Sequence, residues 1–243
     1  MSMSMSKQGQ KSDKPVAIVA GASRGIGEAT ARRFESAGWR VAALSRSISE
    51  AETAGRLDIR ANLTDPAGGA SAVDKVLGTW GRIDAVIHSV GDIAEGKPVY
   101  EQEWSSWAWT LEVCLGSAVH LTCAASAAVV KAGGVFLYIS SVAARRPYAG
   151  IAPYCAAKAA LNSYARSVAL ELAPNARANV ISPAVVNTDL FHRSPFTEEQ
   201  AAGWHLLNRI GKPGEVAELA YSCATNTWLT GQELILDGGM SLR

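Results

Sequence analysis

A doubly wound α/β fold, a parallel sheet covered by helices on both faces, is predicted by three features of this chain. Short unbroken apolar runs recur along it, amphipathic segments alternate with them, and a glycine-rich turn directly follows the first run. The runs are Val16–Ala20, Val41–Leu44, Ala85–His88, Val135–Ile139, Asn179–Ile181 and Leu234–Leu236. They lack the alternation of a half-exposed strand, so they read as strands buried on both faces. Between them, Ile26–Ala37, Ala70–Trp80, Trp104–Val130, Ala156–Leu172 and Glu215–Ala224 set alanines, leucines and valines at helical spacing. Right-handed crossovers joining such pieces leave a parallel sheet between two helical layers.

Composition agrees. The 243 residues are 48% apolar and 19% charged, which suits one well-cored domain and excludes a disordered, collagenous or disulfide-stapled chain. A formal charge of +1 supplies no cationic field for nucleic acid or an anionic membrane, so a small neutral or mildly anionic ligand is expected. Cys114, Cys123, Cys155 and Cys223 show neither Cys-x-x-Cys spacing nor neighbouring histidines, which argues against a metal site and for reduced thiols. No unbroken apolar run reaches the roughly 18 residues of a membrane span, and a cytoplasmic protein is expected. The Met-Ser repeat and polar stretch over residues 1–14 read as a disordered leader or tag, with a single domain over residues 15–243. Asn187–Arg209 carries prolines, charges and Phe191, Phe196 and Trp204; an irregular stretch of that length reads as a lid over a site.

The turn after the first run is Gly21-Ala22-Ser23-Arg24-Gly25-Ile26-Gly27. Glycines there let the backbone turn tightly and approach a pyrophosphate held by free helix N–H groups, so Gly21, Ser23, Gly25, Ile26 and Gly27 are candidate dinucleotide ligands. At the end of the second run, where an NAD site offers the ribose a carboxylate, the chain has Ser45 and Arg46. Arg46 and Arg24 would set two guanidiniums around a 2′-phosphate, making NADP(H) preferred over NAD(H). The alternative is that both arginines are solvated surface charges.

Tyr154 and Lys158 stand four residues apart on one predicted helix, so their side chains share a face. A neighbouring ammonium favours phenolate and would draw a phenol from its ordinary value near 10 toward the working range, making Tyr154 a general acid or base. Ser141 follows the run Val135–Ile139, at the carboxyl edge where parallel sheets bind ligands. Its hydroxyl could polarise a carbonyl.

These motifs, in this order, resemble the short-chain dehydrogenases/reductases of the single-domain, Rossmann-type kind. The likeness runs from about Pro15 to the C-terminus and includes Gly21, Gly25 and Gly27, Ile139-Ser140-Ser141, Tyr154 with Lys158, Ser182-Pro183 followed by Thr188, and Gly231-Gln232 with Asp237-Gly238-Gly239. The resemblance implies a seven-stranded parallel sheet, a homotetramer or homodimer, and reversible hydride transfer between NAD(P) and a carbonyl or alcohol. It also implies cofactor contacts at Asn62 and Leu63 for the adenine, at Gly91, and at Pro183, Val186 and Thr188. Lys158 would hold the nicotinamide ribose as well.

Four departures stand out. His88-Ser89-Val90-Gly91 replaces the family's Asn-Asn-Ala-Gly, and His88 could either titrate in a relay or pack as a structural substitute. Val113-Cys114-Leu115 replaces Val-Asn-Leu, putting a weakly hydrogen-bonding thiol where an amide holds the relay water. Asn62 stands for the adenine-contacting acid and Ala184 for a glycine. The substrate pocket is expected to be framed by Ser141, Tyr154, Val142–Arg145, Ile93–Glu95 and the lid, with Phe191, His192, Phe196, Trp204 and Leu207 either lining it or packing the lid. Trp104, Trp107 and Trp109 lack interleaved basic residues and read as packing rather than a nucleic-acid platform. The leading expectation is an NADPH-dependent ketoreductase for a small apolar or aromatic carbonyl compound. The alternatives are an alcohol dehydrogenase working in reverse and, because of Cys114, a non-catalytic NADP-binding sensor or scaffold.

Overall fold

The computed structural model describes residues 14–94 and 96–243; the leader reading, Lys14 apart, and Glu95 fall outside them. β1 (Val16–Ala20) turns through the glycine segment into α1 (Gly25–Ser36) and β2 (Arg40–Ser45). A two-residue β3 (Ala51–Glu52) precedes β4 (Arg56–Arg60). α2 (Pro66–Trp80) is opened by the Asp65 side chain, which accepts from the Ala67 N–H, and closed by Gly81 at φ 75°. After β5 (Ala85–His88), α3 (Trp104–Leu111), a π-helical turn over Glu112–Gly116 and α4 (Ser117–Ala132) run on as one helix. β6 (Val135–Ile139), α5 (Ala152–Leu172) and β7 (Arg177–Pro183) follow. α6 (Asp189–His192), α7 (Glu198–Ala202), α8 (Pro213–Thr225) and β8 (Glu233–Leu236) complete the chain.

The sheet order is β3-β4-β2-β1-β5-β6-β7-β8, parallel except for β3. β1 therefore has β2 on one side and β5 on the other, and the strand order reverses there. Crevices that bind ligands open at the carboxyl ends of strands at such a reversal. The unbroken apolar runs have a direct cause. Val16, Ile18 and Ala20 enter the core covered by α2, α4 and α5, while Ala17 and Val19 enter the core under α1 and α8, as the two-residue period of a strand requires. Phe34 meets Trp39 edge-on at 5.0 Å and Tyr221 at 5.4 Å, the second pair fastening α1 to α8 with about 0.5–1.5 kcal/mol beyond burial.

The sheet has eight strands rather than seven, because β3 adds a short antiparallel edge. β4 escapes an apolar-run reading since only Leu57 and Ile59 are buried in it. Its Arg56 donates to Asp58 at 2.7 Å and to Glu35 at 2.9 Å, so the charges are paired beside the sheet. The expected irregular lid contains α6 and α7, the latter opened by a reciprocal Thr197–Gln200 capping box. Trp104–Ala132 is long and apolar enough to cross a membrane, with mean hydropathy 1.8 over an 18-residue stretch of it, although scattered serines and threonines break its apolar runs. Ala118, Leu121, Ala125 and Val129 bury its inner face against the sheet core, the packing of a core helix.

Arg177 ties the last crossover to the sheet. Its guanidinium donates to the carbonyls of Cys223, Ala224 and Leu229 at 3.2, 2.7 and 2.7 Å, satisfying acceptors that the end of α8 leaves open. Arg177→Ala is expected to lower stability by about 2 kcal/mol, read as a reduced urea midpoint at unchanged slope.

Candidate active site

The glycine turn is built for close backbone approach. A side chain at Gly27 would place its Cβ 2.1 Å from the Gly21 carbonyl oxygen, and one at Gly21 would lie 2.6 Å from that of Ser89. The turn and the end of β5 are thus pressed together. Arg24, at the N-cap of α1, makes no side-chain cap, so the first-turn N–H groups of Gly25, Ile26 and Gly27 keep their donors for an anion. Ser23 is exposed beside them. A site of this kind fits a dinucleotide diphosphate. Ser45 and the exposed Arg46 close β2. Asn62 Oδ1 accepts from the Thr64 hydroxyl at 2.9 Å, which leaves the amide nitrogen as its side-chain donor, and Leu63 is buried. Across the crevice, Pro183 ends β7 and Val186 bridges to Gly211. The Thr188 methyl would lie 3.3 Å from a Cβ at Gly25.

α5 opens with Pro153 in its first turn, earlier than the sequence pattern suggests, so Tyr154 and Lys158 both lie inside the helix and both are buried. Lys158, 3% exposed, donates from Nζ to the Ile139 carbonyl at 2.9 Å. The ammonium lies 5.6 Å from the Tyr154 ring centroid. Ser141 Oγ accepts from the Ala143 N–H at 3.1 Å, which leaves its O–H as the donor toward the Tyr154 phenol. Ser141, Tyr154 and Lys158 therefore gather at the ends of β6 and α5.

The electrostatics correct one expectation. Burial pushes the Tyr154 phenol above its ordinary range, with hydrogen bonding to Ser141 working the other way. Burial also lowers the Lys158 ammonium. The ammonium, held on Ile139, does not offset the rise of the phenol, because desolvation is the largest influence on both groups.

Beneath Lys158 lies the π-helical turn. Cys114 is fully buried, and its thiol donates to the Asp92 carbonyl at 3.5 Å. A Cβ at Gly91 would stand 2.8 Å from Lys158 Nζ and 3.7 Å from Cys114 Sγ, so Gly91 leaves room for both. The turn is braced from below, where Ser117 donates to the Val113 carbonyl at 2.6 Å and pairs with His88 Nε2 at 2.8 Å. Because the Ser117 proton is committed to Val113, His88 donates from Nε2. Burial, then the Lys158 charge, depress its imidazole to about 3. Of the two roles open to His88, this geometry favours the packed, neutral one.

Ile93, Leu111, Tyr148 and Ile151 pack around Cys114, Tyr154 and Cys155, so Ile93 joins the candidate catalytic residues. Phe191 and Trp204 belong to a separate cluster with Ala201 and Ile210, and Phe196 meets Trp204 edge-on at 4.9 Å. They form the lid's own small core instead of meeting Tyr154. Three residues that the sequence reading passed over matter here. Asp189 pairs with Arg24 at 3.3 Å, and Asp92 pairs with Arg193 at 2.5 Å; only the fold brings these charges together, so no local motif announces them. Among the described residues no cluster of side chains suited to a metal ion occurs.

Comparison with known proteins bears on the assignment. A family model described as enoyl-(acyl carrier protein) reductase matches residues 21–241. The 3-oxoacyl-(acyl-carrier-protein) reductase of Escherichia coli is 30% identical over 238 residues, covering 93% of this chain and 96% of that one. Ligand-free aldohexose dehydrogenase of Thermoplasma acidophilum superposes with a TM-score of 0.87 at 28% identity, over 95% of both chains. The 3-ketoacyl-(acyl-carrier-protein) reductase from Brucella melitensis, complexed with NADH, gives 0.88 at 25% identity over 93% of this chain and 98% of that one.

Gly91→Ala isolates the geometry around Lys158. The new methyl meets the end of a lysine that is buried and tied to the Ile139 carbonyl, so a loss of about 1–3 kcal/mol in stability is expected. A displacement of Lys158 by about 1 Å is expected to lower turnover roughly 100-fold. Thermal melting and steady-state rates on one preparation check both.

Proposed function

The chain belongs to the short-chain dehydrogenase/reductase family, NAD(P)-dependent oxidoreductases acting on CH–OH and C=O groups, and from that premise we propose that it is an NADPH-dependent ketoreductase. The observation that carries this reading is the gathering of Ser141, Tyr154 and Lys158 beside the glycine turn, with burial raising a phenol that is already in its acid form at neutral pH. A reductase needs a proton donor in its acid form at neutral pH, whereas an alcohol dehydrogenase needs the phenolate.

Gly25, Ile26 and Gly27 would hold the diphosphate through their N–H groups, with Gly21 and Ser23 shaping the turn. Arg24, Ser45 and Arg46 would take the 2′-phosphate, Asn62 and Leu63 the adenine, and Gly91, Pro183, Val186, Thr188 and Lys158 the nicotinamide end. When bound, NADPH would supply the hydride to the carbonyl carbon. Tyr154 would give its proton to the carbonyl oxygen, and the Ser141 O–H, beside the phenol, would turn to donate a hydrogen bond to that oxygen as charge develops on it. Lys158, fixed on Ile139, places a positive charge near the phenolate that results. Ile93, Tyr148 and Ile151 surround Tyr154 with apolar and aromatic surface, which suits an apolar or aromatic carbonyl compound. A homotetramer or homodimer fits the open edge of β8 together with the exposed Leu170 and Trp228.

Tyr154→Phe is expected to cut reduction of a ketone by at least about 100-fold while leaving NADPH affinity nearly unchanged; retained turnover would remove Tyr154 from the mechanism. The pH dependence has a definite sign. With the phenol raised, carbonyl reduction is expected to hold its rate across neutrality, and alcohol oxidation, which draws on the phenolate, to climb as pH rises. Initial rates in both directions on one buffer series test this.

A further inference from the structure

α6 is a strap fastened at both ends. At its start, Asp189 Oδ2 meets Arg24 at 3.3 Å; just past its end, Arg193 meets Asp92 at 2.5 Å. Arg24 belongs to the glycine turn after β1, and Asp92 follows Gly91 beyond β5. The strap therefore joins the two rims of the crevice at which the strand order reverses.

The Arg24–Asp189 pair is weakly built. Its side chains are 65% and 60% exposed, and the 3.3 Å separation is long for a charge-assisted hydrogen bond. Water-screened pairs of this kind shift an equilibrium by about twofold to fivefold. A phosphate, with more charge and more acceptor oxygens, is the better partner for a guanidinium. The pair can thus be displaced by a phosphate, and its loss still reduces the measured affinity of whatever displaces it.

We propose that Asp189 is a determinant of cofactor selectivity, a carboxylate that occupies Arg24 until the 2′-phosphate of the dinucleotide takes its place. The proposal rests on the reading that Arg24 serves that phosphate. Asp189 then penalises NADPH specifically, since NADH gives Arg24 no reason to leave its carboxylate. The same exchange frees the first end of the strap while Arg193 still holds the second, so loading of a phosphorylated dinucleotide loosens α6 on the glycine-turn side.

Fluorescence titration of the full chain with NADPH and with NADH tests this without any substrate. Asp189→Asn is expected to raise the ratio of the NADH to the NADPH dissociation constant about twofold to fivefold, whereas Asp189→Glu keeps the competitor and should leave the ratio near the native value. In an Arg24→Ala background, Asp189→Asn is expected to do nothing to the ratio, because a coupling exists only while both partners are present. Equal tightening of both nucleotides by Asp189→Asn, or the same gain in the ratio without Arg24, would overturn the proposal in favour of a general charge effect. If neither Arg24→Ala nor Arg46→Ala alters the ratio, the 2′-phosphate reading itself fails and the proposal goes with it.

Discussion

A lysine ammonium removed from water must find a fixed acceptor, and much of the site follows from how Lys158 finds one. The Ile139 carbonyl accepts it at 2.9 Å, at the end of a strand held in the middle of the sheet. That single bond sets where α5 must begin relative to β6. It also requires that Gly91 carry no side chain, since a Cβ there would meet Nζ at 2.8 Å. The same burial that confines the ammonium raises the phenol beside it, so the electrostatics of the candidate site arise from packing as much as from charge. A buried cation left without its acceptor would cost several kcal/mol, so this candidate catalytic side chain also serves as a structural joint.

The π-helical turn carries this constraint one layer deeper. The turn over Glu112–Gly116 carries Cys114 close to Lys158, and Ser117 at its end donates back to the Val113 carbonyl. His88 completes the brace, and its neutral ring adds no second positive charge close to the ammonium. The histidine and the thiol, both departures from the family pattern, thus meet in one packed unit. A thiol offers less to water than an amide does, and the Cys114 thiol donates its one weak hydrogen bond to the Asp92 carbonyl at 3.5 Å.

Much of the architecture is legible in the chain because strands buried on both faces leave a plain signature, and β1, β5, β6 and β8 end within a residue of their apolar runs. β4 is hidden because Arg56 and Asp58 neutralise one another beside the sheet, a pairing that only the fold creates. The glycine turn and the Tyr154, Lys158 and Ser141 set are readable because backbone approach and helical spacing are local properties. What escapes is non-local. The direction in which Lys158 donates depends on a strand 19 residues away, and the strap's two ion pairs join residues distant in sequence. Aromatic residues in the lid could be recognised as a group, but whether they face a substrate or one another is decided by packing, and Phe191 with Trp204 chooses the latter.

The central claim is that burial holds Tyr154 as a phenol in the free protein, ready to give its proton to a carbonyl oxygen. An ultraviolet difference titration of phenolate, run on the native chain and on Tyr154→Phe, addresses it directly. The account predicts identical curves through neutrality and well into the alkaline range, with the native chain's extra phenol ionising only above an ordinary tyrosine. A tyrosine that ionises near neutral pH in the native chain and is missing from the variant would contradict it.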